Sequence, residues 1–159
     1  MPRPALLLVA AFLLVLLPGC VPPLQGQASV TDGDSLEIHG QRIRLHGIDA
    51  PEGRQTCKRS NGETWRCGRQ AARALDQFID GRTVRCHEVD RDQYGRVVAE
   101  CNVDGTSLNG WMVRNGWATA YRQFTRAYVA DEDAARADGL GIWEGEFVEP
   151  ERYRRSGGR

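Results

Sequence analysis

The sequence lacks an apolar run long enough to cross a membrane, and it lacks net charge. Its longest apolar run, from Ala5 to Leu17, has 13 residues, whereas a membrane-spanning helix needs roughly 20. The 21 basic side chains match the 21 acidic ones, so the chain as a whole does not attract a polyanion. Binding of an anionic partner must therefore depend on a local patch of positive charge, and it should weaken with salt.

The apolar run has the features of an export signal. Arg3 precedes it as the only charge, and its length suits the central region of a signal peptide. We predict that residues 1–27 form an export segment and linker. The segment Leu17-Pro18-Gly19-Cys20 resembles a bacterial lipobox, which makes Cys20 a candidate for lipidation, whereas cleavage near Ala28 would remove Cys20 altogether. Both alternatives predict a periplasmic, membrane-anchored or secreted protein.

The sequence also lacks the spacing of a structural zinc site. No two cysteines form a Cys-x2–4-Cys pair, and no two histidines stand at ligand spacing. Four cysteines follow the export segment, and an even number in an exported chain favours disulfides, for which three pairings are possible. A hairpin around Asp92-Gln93-Tyr94-Gly95 would set Cys86 opposite Cys101, which favours that bridge and leaves Cys57 for Cys67.

Hydrophobic periodicity predicts one domain over residues 28–148. Turn signals at Asp32-Gly33 and His39-Gly40 indicate a meander of short strands that ends near Ile48. The other predicted elements are strands at about 83–89 and 96–103 and helices at 68–80, 107–116 and 126–138. Five strands with about three helices predict an α+β, mainly β fold, a closed OB-fold barrel. We expect the polar and basic tail, residues 149–159, to be disordered.

Carboxylates and arginines stand together near the predicted strand ends. Asp32-Gly33-Asp34 and Asp49-Ala50-Pro51-Glu52 supply four carboxylates, whose oxygens can surround a hard cation. Arg44 lies on the side of its strand away from the apolar residues, and Arg96 follows the Asp92–Gly95 turn. A guanidinium offers two parallel donors to phosphate oxygens, so this combination suits phosphoryl chemistry.

These motifs resemble the staphylococcal (thermonuclease) nuclease family. The resemblance rests on Asp32-Gly33-Asp34-Ser35, on the segment from Arg44 to Glu52, and on Asp92-Gln93-Tyr94-Gly95-Arg96. Weaker matches follow in the same order at Leu108-Asn109, Val113–Gly116, Ala120-Tyr121 and Gly141-Ile142-Trp143. The likeness therefore runs from about Val30 to Trp143.

The resemblance implies a role for each matching residue. Asp34, Asp49 and the main-chain carbonyl of Ala50 would hold one Ca²⁺, and Arg44, Glu52 and Arg96 would be catalytic. It implies a monomeric endonuclease that cleaves DNA and RNA with little sequence preference and leaves 3′-phosphates. Tyr121 is a candidate for contact with the nucleic acid. Gln123 replaces a second tyrosine of the family, which puts stacking of bases at this position in doubt.

Two rival functions remain open at this point. Barrels of this family also occur as non-catalytic modules that bind nucleic acid or protein, and Cys20 together with the neutral charge would suit a structural envelope lipoprotein. The complete set of ligand and arginine positions favours the enzyme. Five basic residues of the segment before and inside the first predicted helix could follow a nucleic-acid backbone or simply be solvated: Arg54, Lys58, Arg59, Arg66 and Arg69.

Overall fold

The computed structural model describes residues 23–158 of the 159-residue chain. The predicted signal peptide and Cys20 lie outside these residues. Between Pro23 and Gly158, no helix is long and apolar enough to span a membrane.

The strands are β1 (Leu24–Asp32), β2 (Ser35–Ile38), β3 (Gln41–Leu45), β4 (Ile48–Asp49), β5 (Cys57–Lys58), β6 (Thr64–Trp65), β7 (Thr83–Arg91), β8 (Val97–Val103), β9 (Thr106–Ser107) and β10 (Thr119–Ala120). The helices are α1 (Cys67–Ile79), α2 (Leu108–Arg114), α3 (Val129–Ala137), a 3₁₀ turn (Gly141–Glu144) and α4 (Pro150–Arg155).

Five of these strands form a closed mixed barrel, as the sequence predicts. The order is β3-β2-β1-β7-β8, and a parallel pairing of β3 with β8 closes the ring. The alternation in β3 is the expected one, because Ile43 and Leu45 are buried while Arg42 is exposed. The core fills the barrel with aliphatic side chains from the strands and from one face of α1.

The helices agree with the predictions in place and differ in detail. Leu75 and Ile79 of α1 are buried against the barrel. Ser107 caps α2, since its Oγ accepts a hydrogen bond of 3.1 Å from the backbone N–H of Gly110. The third helix begins at Val129 instead of residue 126.

Both predicted disulfides are present. Cys86 and Cys101 lie directly opposite each other in β7 and β8, with their Cα atoms 4.1 Å apart. The other bridge joins Cys57 to Cys67 with a Cα separation of 5.6 Å. It ties the segment before α1 to the first residue of that helix. The two bridges are consistent with an exported protein.

The predicted boundaries of the domain are wrong at both ends. At the start, β1 already begins at Leu24 and pairs with β7, so residues 24–27 belong to the barrel. At the end, the tail predicted to be disordered contains α4, which makes four α-helices in the described residues where about three were predicted. Pro150 occupies the first turn of α4, Glu151 adds negative charge there, and the last turn is basic, which are all favourable for a helix.

A segment that we call the C-terminal strap, residues 146–155, carries α4 back to the barrel. The backbones of Lys58 and Glu146 exchange hydrogen bonds of 2.8 and 2.9 Å. Gln55 donates a hydrogen bond of 2.6 Å from its Nε2 to the carbonyl of Val148. Phe147 packs against the small apolar cluster around the Cys57–Cys67 bridge. These contacts bring α4 beside the ends of β3 and β4.

Candidate active site

Two of the predicted metal ligands meet around the guanidinium of Arg44, a predicted catalytic residue. The Nη2 atom of Arg44 lies 3.1 Å from Oδ2 of Asp34 and 3.0 Å from Oδ1 of Asp49. The two aspartates are almost fully buried, with 5% and 1% of their surface exposed. The backbone N–H of Ala50 points to Oδ2 of Asp34 at 3.4 Å. Asp34, Asp49 and Ala50, the three predicted metal ligands, therefore lie in one corner of the barrel.

Glu52 is held next to this corner by its own backbone. Its N–H donates to Oε1 of Gln55 at 3.2 Å, and its carbonyl lies against the first turn of α1. Gly68 makes this approach possible, because a Cβ at this position would lie 1.7 Å from the Glu52 oxygen. The carboxylate of Glu52 stays about one-third exposed, so it can reach a solvent molecule.

Arg96 is oriented by the turn that precedes it. Its Nε donates to Oδ2 of Asp92 at 2.7 Å, and its backbone N–H donates to Oδ1 of the same residue at 3.0 Å. Partial burial alone would raise the pKa of Asp92, but these hydrogen bonds outweigh it and lower the pKa below the ordinary value. Asp92 is therefore a positioning residue for Arg96, and Nη1 and Nη2 of Arg96 are not engaged by Asp92.

Arg154 of α4 is a site residue that the sequence reading missed. Its Nη1 lies 2.8 Å from Oδ1 of Asp49 and 2.8 Å from Oε1 of Glu52, and its Nη2 lies 3.0 Å from Oδ2 of Asp49. The contact with Asp49 is thus bidentate. The helical signals around Pro150 could have revealed α4, but nothing local in the sequence indicates where its arginine points.

Arg154 lines two open cavities. The larger, of about 460 Å³, is lined by Arg44, Arg96, Tyr121 and Arg154 among others. The second, of about 400 Å³, is lined by Glu52 together with Arg154 and the residues around it. Arg154 therefore borders both Glu52 and the cavity that holds the two predicted catalytic arginines.

The carboxylates of this corner strongly influence one another. Burial and, to a smaller extent, the nearby charges of Asp34 and Glu52 raise the pKa of Asp32 to about 6, although hydrogen bonds from the backbone N–H groups of Gly33 and Gly53 oppose this rise. Burial also raises the pKa of Asp49, and the hydrogen bond from Arg154 opposes that rise. A buried carboxylate is costly without a positive partner. The carboxylates of this corner therefore need positively charged partners, which are Arg44 and Arg154.

The residues fit a hard divalent cation by their chemistry. Oxygen atoms of Asp34 and Asp49 converge within 3.1 Å of one nitrogen, and carboxylate and carbonyl oxygens are the ligands that Ca²⁺ prefers. Within residues 23–158, no three His, Cys, Asp or Glu side chains are grouped as a metal site. The predicted ligand set consists of two carboxylates and the main-chain carbonyl of Ala50, so it does not require three such side chains.

Aromatic side chains surround the larger cavity. Tyr121 lines it, and its ring packs edge-on against Phe124 with the centroids 4.8 Å apart. Phe124 is 60% exposed and Tyr94 is 70% exposed, and both line the same cavity. The position after Gln123 thus supplies an aromatic ring that the sequence reading overlooked.

The basic residues of the segment around α1 differ in their contacts. Arg59 pairs with Glu144 at 2.5 Å and lies over the ring of Trp65, so its charge is partly used within the fold. Arg54 lines the cavity that contains Glu52. The side chains of Lys58, Arg66 and Arg69 are exposed, and for them the two predicted roles both stay open.

Comparison with known proteins identifies the family. The model of the staphylococcal nuclease homologues matches residues 42–145, a range that includes Arg44, Asp49, Glu52 and Arg96. The chain belongs to the staphylococcal nuclease family. It is therefore a nuclease of the hydrolase class, and its five-stranded barrel is the OB-fold of that family.

Three relatives of this staphylococcal nuclease homologue show how far the likeness extends. The succinoglycan biosynthesis protein ExoI of Rhizobium meliloti is 40% identical over 138 residues, which cover 85% of this chain and 72% of the relative. An uncharacterized endonuclease of Escherichia coli is 33% identical over 121 residues, 72% of each chain. The probable staphylococcal-like nuclease CAN1 of Oryza sativa is 32% identical over 115 residues, 70% of this chain and 31% of the relative.

Proposed function

We propose that the protein is a Ca²⁺-dependent endonuclease that cleaves DNA and RNA with little sequence preference and leaves 3′-phosphates. The observation that carries the proposal is the convergence of Asp34 and Asp49 on Arg44, with Glu52 beside them. This arrangement supports the proposal, because a cation site, a general base and a phosphate-binding guanidinium would then lie within one small corner of the barrel.

Each residue has a distinct role in the proposed reaction. Asp34, Asp49 and the Ala50 carbonyl would hold Ca²⁺, which supplies positive charge against a non-bridging phosphate oxygen. Glu52 takes a proton from a water molecule, whose oxygen forms the new bond to phosphorus while the P–O5′ bond breaks. Arg44 and Arg96 stabilise the negative charge that develops on the phosphate oxygens, and the departing 5′-oxygen takes up a proton from the solvent.

The aromatic rim would hold the bases next to the scissile phosphate. Tyr121 and Phe124 form one wall of the cavity that contains Arg44 and Arg96, and exposed aromatic rings bind bases of any identity by stacking. Phe124 would supply the second ring that Gln123 does not provide. Because the net charge is zero, substrate affinity should depend on these local groups and should fall as salt rises.

The proposal extends to where the enzyme works. The two disulfides support export from the cytoplasm, to the periplasm or beyond the cell, with Cys20 as the candidate residue for a lipid anchor. The enzyme would act as a monomer, because one chain supplies every group of the proposed reaction.

The decisive experiment is a cleavage assay on single-stranded DNA and RNA, with CaCl₂ or with chelator. Glu52→Gln should lower turnover about 10²- to 10⁴-fold, because it removes the general base, and its thermal unfolding should match the wild type. Glu63→Gln, an exposed neighbour, is the matched control and should leave turnover unchanged. Absence of Ca²⁺-dependent cleavage by the wild type would overturn the enzyme in favour of a binding module.

A further inference from the structure

Arg154 occupies the groups that the proposed reaction needs. Its guanidinium bonds to both carboxylate oxygens of Asp49 and to Oε1 of Glu52. Asp49 is a proposed metal ligand, and Glu52 is the proposed base. A cation at Asp49 and Arg154 at Asp49 therefore compete for the same oxygen atoms, and a carboxylate that accepts hydrogen bonds from a guanidinium is a weaker base.

The same side chain lines both cavities of the site. Arg154 borders the cavity of Arg44 and Arg96 as well as the cavity of Glu52. A phosphate bound by the two arginines and a water held by Glu52 would therefore both lie beside the Arg154 guanidinium. In this conformation, one residue occupies oxygen atoms of a proposed metal ligand and of the proposed base.

The element that carries Arg154 is a short helix. α4 has six residues, and so short a helix is not stable on its own in water. It is buried at its start by Pro150, and further along it contacts the site through the ion pairs of Arg154 with Asp49 and Glu52. Arg155 pairs with Glu151 of the same helix. The firm attachment of the strap to the barrel, through Glu146 and Val148, lies before α4 begins.

We infer that α4 is an autoinhibitory latch, in which Arg154 takes the place of the cation at Asp49 and Glu52 until Ca²⁺ displaces it. The inference rests on the proposed function. A divalent ion brings twice the charge of a guanidinium to the same oxygens, so it can compete once its concentration is sufficient. Displacement frees Asp49 and Glu52 from the guanidinium, while the strap up to Val148 keeps α4 near the site.

Linkage makes the latch measurable without an activity assay. If Ca²⁺ must displace Arg154, the cost of that displacement weakens Ca²⁺ binding in the wild type. Removal of Arg154 should therefore tighten Ca²⁺ binding by the factor by which the displacement weakens it. In calorimetric titrations of the full chain with CaCl₂, Arg154→Gln should bind at least about 5-fold more tightly than the wild type. Arg152→Gln removes the same charge from an exposed position of the same helix, and its affinity should equal that of the wild type.

Hydrogen exchange of α4 supplies the second measurement. In the wild type, saturating CaCl₂ should speed amide exchange in residues 150–155 and leave the barrel strands unchanged. In Arg154→Gln, these amides should already exchange fast without Ca²⁺. An unchanged α4 in saturating CaCl₂, or equal Ca²⁺ affinity of wild type and Arg154→Gln, would overturn the latch alone. Absence of Ca²⁺ binding in every variant would overturn both the latch and the calcium part of the proposed function.

Discussion

Two arginines contact Asp49, and they reach it from very different parts of the molecule. Arg44 belongs to β3, which pairs with β2 on one side and with β8 on the other, and its neighbours Ile43 and Leu45 are buried in the core. Arg154 belongs to a six-residue helix at the end of the strap. The first arginine is fixed by the barrel, whereas the second is held mainly by the ion pairs that it makes.

This difference teaches which contacts can change during a reaction cycle. Moving the backbone at Arg44 would break the strand pairing of β3 and expose core side chains, which costs far more than one ion pair. Moving Arg154 breaks its ion pairs with Asp49 and Glu52 and shifts a six-residue helix that pairs with no strand of the barrel. The barrel thus provides permanent positive charge, and the strap provides charge that other cations can replace.

The largest effect is expected from removal of Arg44, the arginine that the barrel holds in place. Arg44→Gln should lower turnover about 10²- to 10³-fold, the usual cost of losing one donor to the transition state. More CaCl₂ should not restore it, because the lost group is proposed to bind phosphate and a guanidinium cannot be a metal ligand. Asp34→Asn should be partly restored by more CaCl₂.

Steady-state cleavage over a range of CaCl₂ concentrations checks this contrast. Arg42→Gln, on the same strand and exposed, is the control and should keep wild-type turnover. Recovery of Arg44→Gln at high CaCl₂ would show that Arg44 acts through the cation site and would remove it from the proposed set of transition-state donors.

The two disulfides offer a way to compare the stability of the barrel with that of the C-terminal strap. The bridges close loops of 15 and 10 residues, and each should contribute about 3 kcal/mol to the free energy of unfolding. Replacing Cys86 and Cys101 by alanine should lower the free energy of unfolding of the barrel. The ratio of the hydrogen-exchange rate in α4 to that in the barrel strands should stay unchanged. Replacing Cys57 and Cys67 should in addition loosen the strap, because Phe147 packs on that bridge.

Denaturant unfolding and hydrogen exchange of both double variants test this expectation. The strap hypothesis predicts fast exchange in α4 only when the Cys57–Cys67 bridge is missing. If both variants loosen α4 equally, the strap depends on the barrel as a whole and the distinction between the two regions is wrong.

The sequence predicted the barrel because local patterns determine its strands and turns. Alternation in β3 sets Arg44 apart from Ile43 and Leu45, and the turn at Asp92 sets Cys86 opposite Cys101. The grouping of Asp34, Asp49 and Glu52 followed from a family resemblance, since no spacing rule joins residues from separate turns. The roles of these residues stay predictions until they are measured.

Arg154 and the strap could not be predicted in the same way. The residues of α4 read as a polar, basic tail, and a helix this short gains its stability from tertiary contacts. Those contacts join positions 105 and 102 residues apart in the chain. Phe124 escaped notice for a related reason, because its exposure at the cavity depends on how the chain turns after β10.

The smallest predicted effect concerns the residue that links the two regions. Gln55 is almost fully buried, donates to the carbonyl of Val148 and accepts from the N–H of Glu52. Gln55→Ala should lower the free energy of unfolding by about 1 to 3 kcal/mol, because it leaves buried polar groups without partners. It should also speed hydrogen exchange in α4 more than in the barrel.

Gln70→Ala, at an exposed position of α1, is the control and should change neither the free energy of unfolding nor the exchange in α4. Equal exchange in α4 of both variants would mean that the ion pairs of Arg154 alone hold the helix in place, and Gln55 would then serve only to position Glu52.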